Sequence, residues 1–187
     1  MARGNLTKES IQRAALAIVD SSGLESLSIR CLAAALGVTP MAIYRHYPNK
    51  AAIELDLVDL VVGDFAVTSH SKRKLDSWLL ETFLRMRNGL CRHPGIIGLL
   101  ERGLYTGPNA ITVMEEVIGR LRKSGMEEGD ALQLFYTLIS FTIGSVVLGN
   151  ASKVAAELLP QAESHADEVW FRRGVEGITS LCCFQRD

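Results

Sequence analysis

Apolar residues recur at Ile11, Ala14, Ala15, Ile18 and Val19, the stripe of an amphipathic helix with one face to cover. Thr7 is placed to cap that helix and Gly23 to end it, which predicts a helix over Lys8 to Ser22. Ser28 opens a second run with Ile29, Leu32, Ala33 and Leu36 on one face, stopped at Gly37. After a short turn Thr39 caps a third helix, with Pro40 in its first position, where a missing N–H costs nothing, and Pro48 ends it. Asn49 caps a fourth, from Lys50 to about Val62. Leu32, Leu36, Val38 and Ile43 are spaced to bury one core, and Ala33 and Gly37 are small enough to let the second and third helices approach closely. A helix, a short glycine turn and a second helix fit a helix-turn-helix, and equally an ordinary helical hairpin.

Beyond Gly63 the polar stretch DFAVTSHSKRKLD reads as a link between domains. Trp78, Leu79, Phe83 and Met86 then begin a long helix to about Cys91, and Pro94 opens another that ends near Gly103. YTGPN reads as a turn, and Asn109 to Ser124 as a helix with Ile111, Met114, Val117, Ile118 and Leu121 inward. Met126 to Ala151 is the most apolar helix; a loop holding Pro160 follows, and a last helix is expected from about Ser164 to Phe184. No segment alternates with period two, so the fold is expected to be all-α. Between Ala131 and Leu148 apolar residues stand on every side (Leu134, Phe135, Leu138, Ile139, Phe141, Ile143, Val146, Val147), so this helix needs cover on more than one face. Gln133, Tyr136, Thr137, Ser140 and Thr142 interrupt it and no basic flanks attend it, which argues for a buried helix and against a membrane span.

Charge adds an asymmetry. The net charge of the 187 residues is −1, but residues 1–50 carry six basic and three acidic side chains, against 14 and 18 in the remainder. A basic head on an acidic body hints at contact with a polyanion. MARGNLTKES holds no apolar leader, and the four cysteines (Cys31, Cys91, Cys182, Cys183) match no zinc spacing, so buried thiols in a reducing cytoplasm are expected. The four histidines lack the H-x-x-x-H spacing, and no G-x-S-x-G, P-loop or dinucleotide-binding turn is present, so the sequence favours no enzyme and implies no cofactor or metal.

LSIRCLAAALGVTPMAIYRHYPNKAAIELDLV, with the amphipathic helix before it, resembles the N-terminal domain of the TetR (tetracycline-repressor-like) family of transcriptional regulators. The match rests on L-A-x-x-L-G-V, then aromatic-x-His-aromatic, then Asn-Lys-x-Ala, over residues 5–65. The resemblance implies a three-helix DNA-binding domain at 5–65, with its helix-turn-helix at about 28–47. It implies a helical bundle over 73–187 for ligand binding and dimerisation.

The crowding of two tyrosines, an arginine and a histidine into Tyr44–Tyr47 then has a physical reason. A helix in the major groove needs one face anchored and the other turned to bases and phosphates. Ile43 and Tyr47 share the anchoring face, with Tyr44 beside them. By resemblance Arg30 reads a guanine, with an internal salt bridge as its other reading. Thr39, Pro40, Met41 and Ala42 form the base-contacting turn, Tyr44 and Lys50 contact phosphate, and His46 lies near the backbone. Arg45, where the family's namesake has tryptophan, reaches phosphate or base.

The resemblance also implies the partners: a near-palindromic double-stranded DNA operator, a homodimer made by the last two long helices, and an unidentified small-molecule effector, without a membrane. Candidate effector contacts are Phe83, Met86, Arg87, Met114, Phe135, Tyr136, Thr137, Phe141 and Trp170, aromatics mixed with a few polar tips. No residue can be matched to the metal ligand of the namesake's drug complex. A ligand-responsive repressor is the expected function. The other reading is a helical sensor or carrier whose head contacts protein.

Overall fold

The capping signals do what their chemistry predicts. Helix α1 spans Lys8–Ser22, with the Thr7 hydroxyl accepting from the Ser10 amide and the Ser10 side chain returning the bond. Helix α2 spans Ile29–Leu36, its first turn closed by Ser28 on the Cys31 amide at 3.1 Å. Helix α4 spans Lys50–Gly63, with Asn49 Oδ1 accepting from Ala52 at 2.9 Å. The computed structural model describes residues 6–65, 73–103, 106–155 and 168–183, and among them every regular element is helical. The expected loop at Pro160, the start of the last helix at Ser164, its end at Phe184, Tyr105 of the turn and residues 66–72 of the link lie outside the described residues.

The third helix is shorter than the sequence suggests. Helix α3 covers only Pro40–Tyr44, and Thr39 stands at its N-cap without a side-chain bond. Past Tyr44 the chain tightens, with His46 donating to the Ile43 carbonyl at 2.9 Å and Tyr47 to the same oxygen at 3.0 Å. Pro48 contributes to this, because it has no N–H to donate to the Tyr44 carbonyl and keeps Tyr47, the residue before it, from the α region. Gly37 also acts differently from expectation. It adopts φ +65°, and a Cβ built there meets nothing within 4 Å, so it serves a left-handed helix stop and not a close approach.

Two compact units emerge. The first runs to Gly63 and takes in His93–Ala110. Its core joins Ile11, Ala15, Val19, Leu32, Ile43, Tyr47, Ile53 and Leu57 from α1–α4 with Ile96 and Leu99. Residues 93–110 carry a short turn at Pro94–Ile96 and helix α6, Ile97–Glu101. They pack on the head through polar pairs: His93 Nδ1 with Asp20 at 2.8 Å and Arg102 with Glu25 at 3.3 Å.

The second unit holds α5 (Leu75–Arg92), most of α7 (Pro108–Lys123), α8 (Glu128–Ala155) and α9 (Glu168–Cys183). Helix α5 packs against both α8 and α9. Trp78, Leu79, Phe83, Val117, Leu121, Leu138 and Phe171 form its core, and Gly89 leaves room for the Phe65 ring. Ile111, expected inward, is exposed; the inward stripe of α7 runs through Val113, Val117 and Leu121 instead. Cys31 and Cys91, expected as buried thiols, are free and exposed.

Candidate nucleic-acid interface

Helix α3 is held from behind. Ile43 is fully buried and Tyr47 nearly so. The Tyr47 hydroxyl donates to Asp56 Oδ2 of α4 at 2.8 Å, and Gln12 Nε2 of α1 donates to the same oxygen at 3.3 Å. Lys8 covers the other side of the Tyr47 ring, 5.0 Å from its centroid. Burial, helped by the hydrogen bond to the Asp56 carboxylate, pushes the Tyr47 hydroxyl well above the usual tyrosine range. Two helices therefore meet on one residue: α1 and α4 close around the tyrosine three residues past the end of α3.

The front of α3 is open. Met41 is 67% exposed and Tyr44 48%. Arg30, Thr39, Pro40 and Arg45 are exposed as well, while Ala42, His46 and Lys50 are half-buried. Among the described residues neither Arg30 nor Arg45 makes a side-chain hydrogen bond or ion pair, so the salt-bridge reading of Arg30 finds no partner there. Lys50 is engaged: its ammonium lies 3.3 Å from Glu54 Oε1, an oxygen that Arg102 also approaches at 3.8 Å. The surface thus combines two uncommitted guanidinium groups, a phenol, an exposed thioether and a third cation shared with a buried carboxylate. Such a set suits a ligand that offers phosphates and base edges together.

The nine candidate effector contacts separate into groups. Phe83, Met86, Arg87 and Phe135 are buried, and Met114, Phe141 and Trp170 are half-buried. Phe83 and Phe135 lie 6.5 Å apart, and Phe141 meets Trp170 at 5.3 Å. Tyr136 and Thr137 fall on the exposed side of α8, where the Thr137 hydroxyl bonds back to the Gln133 carbonyl at 2.8 Å, so the structure does not bring them into the interior. Sequence reasoning missed Phe171, which stacks on Phe141 at 5.4 Å and carries Arg87 over its ring at 5.5 Å. It also missed Asp56, since no periodicity links a tyrosine before Pro48 to a carboxylate nine residues later.

A glycine-stopped α2 followed by a short anchored α3, with Arg30, Arg45 and Lys50 on the neighbouring segments, has the arrangement of a helix-turn-helix. Residues 11–56 match the profile described as bacterial regulatory proteins, tetR family, and residues 75–175 match the tetracyclin repressor-like C-terminal domain. The chain belongs to the TetR family. It is 30% identical over 145 residues to the HTH-type transcriptional repressor DrrR1 of Streptomyces coeruleorubidus, covering 75% of this chain and 52% of that protein. It is 30% identical over 165 residues to the tetracycline repressor protein class C of Escherichia coli, covering 81% of this chain and 70% of that one. The chain therefore spans about half the length of the first of these relatives. A TetR variant from Acinetobacter baumannii AYE in complex with minocycline shares the fold, with TM-score 0.81, 22% identity and coverage of 98% and 99%.

Proposed function

We propose that this protein is a cytoplasmic, ligand-responsive transcriptional repressor that binds a near-palindromic DNA operator as a homodimer. The observation that carries this reading is the surface of the helix-turn-helix: Arg30 of α2 and Arg45 at the end of α3 are exposed and uncommitted among the described residues, with Tyr44 of α3 exposed while Ile43 and Tyr47 are buried behind. Arg30 and the turn Thr39–Ala42 reach base edges; Tyr44, Arg45, His46 and Lys50 follow the phosphate backbone. Two heads read half-sites about one helical turn (~34 Å) apart.

The second copy is supported by α8 and α9. The most apolar window of α8 has a mean hydropathy of 1.8, but only 39% of it is buried within the chain. Tyr136, Val147 and Leu148 of α8, with Val169 and Leu181 of α9, leave an exposed apolar strip. An apolar face of that kind is covered most simply by its own copy across a two-fold axis.

The effector is read as an apolar, aromatic small molecule held among Phe83, Met86, Arg87, Met114, Phe135, Phe141 and Trp170. Its effect requires unequal affinity for two arrangements of the dimer, because a ligand that binds both equally shifts nothing. The test is a gel shift of the purified protein on its own upstream DNA across a salt series. Sequence-selective retention with a steep log–log salt slope is expected. A shallow slope, or retention that ignores sequence, refutes the reading and favours a head that contacts protein. Arg30→Ala and Arg45→Ala should each weaken operator binding about 5- to 150-fold, or 1–3 kcal/mol per lost guanidinium contact. Lys50→Ala should cost less, since Glu54 already shares its charge.

A further inference from the structure

Helix α7 carries Glu116 and Arg120 four residues apart, the spacing at which an acid and a base on one helix ordinarily pair. Here the arginine turns elsewhere. Its guanidinium sits 4.4 Å from the centroid of the Trp78 ring on α5 and donates to the Arg73 carbonyl at 2.8 Å. Glu116 is left with a buried carboxylate oxygen, Oε2, that has no hydrogen-bond partner among the described residues. A desolvated carboxylate oxygen without a donor is costly, and structures rarely keep one without a use.

Glu116 also lines an open groove of about 510 Å³ between α5 and α7, together with Leu75, Trp78, Glu115, Arg120 and Lys123 among others. That volume lies within the range of small-molecule sites. The two ends of the groove differ in sign. Glu115 and Glu116 stand together at one end, and the basic Arg120 and Lys123 lie one to two turns further along α7. With Arg120 drawn onto Trp78 and the Arg73 carbonyl, its charge is directed away from the carboxylate it would normally neutralise. The wall already accommodates a cation on an aromatic ring, and the acidic end still lacks one.

We propose that this groove is a binding site for a small organic cation, an amine with an apolar body. The ammonium pairs with the Glu116 carboxylate, with Glu115 adding charge, and the body lies against Leu75 and the aliphatic stem of Arg120. None of the candidate effector contacts lines this groove, and the inference holds whether or not the head binds an operator.

The test uses the full chain and 2-phenylethylamine as probe, titrated by calorimetry at neutral pH and low salt, with 2-phenylethanol as the uncharged control. Saturable binding of one amine per chain is expected, and the alcohol should bind at least tenfold more weakly. Glu116→Gln should lose at least tenfold in amine affinity, as a charge-assisted bond is replaced by a neutral one. Glu115→Gln should lose less. Because Glu116→Gln removes a buried charge without changing shape, its helical circular dichroism and melting should be preserved or improved, so a folding defect does not obscure the result. The proposal is overturned if no saturable binding appears up to about 10 mM, the weak limit for a ligand of this size. Equal binding of amine and alcohol, or undiminished binding by Glu116→Gln, overturns it as well, and solvent alone then fills the groove.

Discussion

Replacing Tyr47 with phenylalanine isolates the bond that ties α3 to α4. The ring stays in its pocket and the only loss is a hydroxyl that donates to Asp56 at 2.8 Å. A hydrogen bond to a charged acceptor contributes about 1.5–3 kcal/mol. Asp56 is half-exposed and keeps the Gln12 amide at 3.3 Å, so a value around or below the bottom of that range applies, about 1–2 kcal/mol. The dependence on pH gives a second, independent number. Tyr47 is held above its ordinary value of 10.0 in the folded chain, so its stabilising contribution is whole below pH 10.0 and is lost as pH rises beyond it. Above that point the unfolded chain releases the proton and the folded chain keeps it, and stability falls by about 1.4 kcal/mol per pH unit from this group. Guanidinium unfolding followed by far-ultraviolet circular dichroism, at fixed protein concentration, should therefore place Tyr47→Phe below the natural chain at pH 7. The two should converge about one unit above pH 10, since 1–2 kcal/mol is consumed at that slope. Curves that stay parallel from pH 7 to 11 would show that the hydroxyl is not what fixes α3.

Two further substitutions probe the same head. Gly37→Ala should cost about 1–2 kcal/mol from backbone strain alone, because φ is +65° and no atom lies within 4 Å of the added Cβ. Gly37→Asn should recover part of that loss in the same denaturation assay, and equal losses would point to something other than the left-handed backbone. Asp59 accepts from the amides of Asn109 at 2.8 Å and Ala110 at 3.3 Å, which makes a side chain of α4 the cap for the first turn of α7. Asp59→Ala should cost about 1 kcal/mol and speed amide exchange in that turn, while Asp59→Asn retains an acceptor and should exchange more slowly than the alanine variant.

The head was legible because its punctuation is chemical. Thr7, Ser28 and Asn49 are side chains that satisfy free amides, Gly23 and Gly37 are stops that tolerate positive φ, and Pro40 is a start that needs no N–H. Each acts within a few residues, so spacing along the chain suffices to find it. What reached further was lost. The Tyr47–Asp56 bond crosses a proline break, and Asp59 caps a helix that begins some fifty residues later; nothing local marks either carboxylate. Pro48 marks the stop of α3 in the sequence, yet the helix ends earlier, at Tyr44, whose carbonyl is the one a proline four residues on cannot serve.

The second unit shows why a pattern can name a helix without orienting it. Periodicity fixes the rotation of a helix only when a polar face contrasts with an apolar one, as on α1 and α7. Helix α8 has no such contrast, so every aromatic on it looked equally fit to line an interior. The fold decides: Leu134, Phe135 and Leu138 turn inward, Phe141 stacks on the Phe171 that the pattern overlooked, and Tyr136 points out with 51% of its surface exposed. Residues such as Thr137, whose hydroxyl can bond its own helix backbone, carry even less directional information. Yet the same lack of contrast was itself informative. A helix apolar on every side needs cover on every side, and one chain supplies it for only 39% of the α8 window. On α9, Val169 and Leu181 are exposed as well, the latter to 73%. The demand for cover is therefore written in composition, whereas the direction in which the exposed face points exists only in the folded chain.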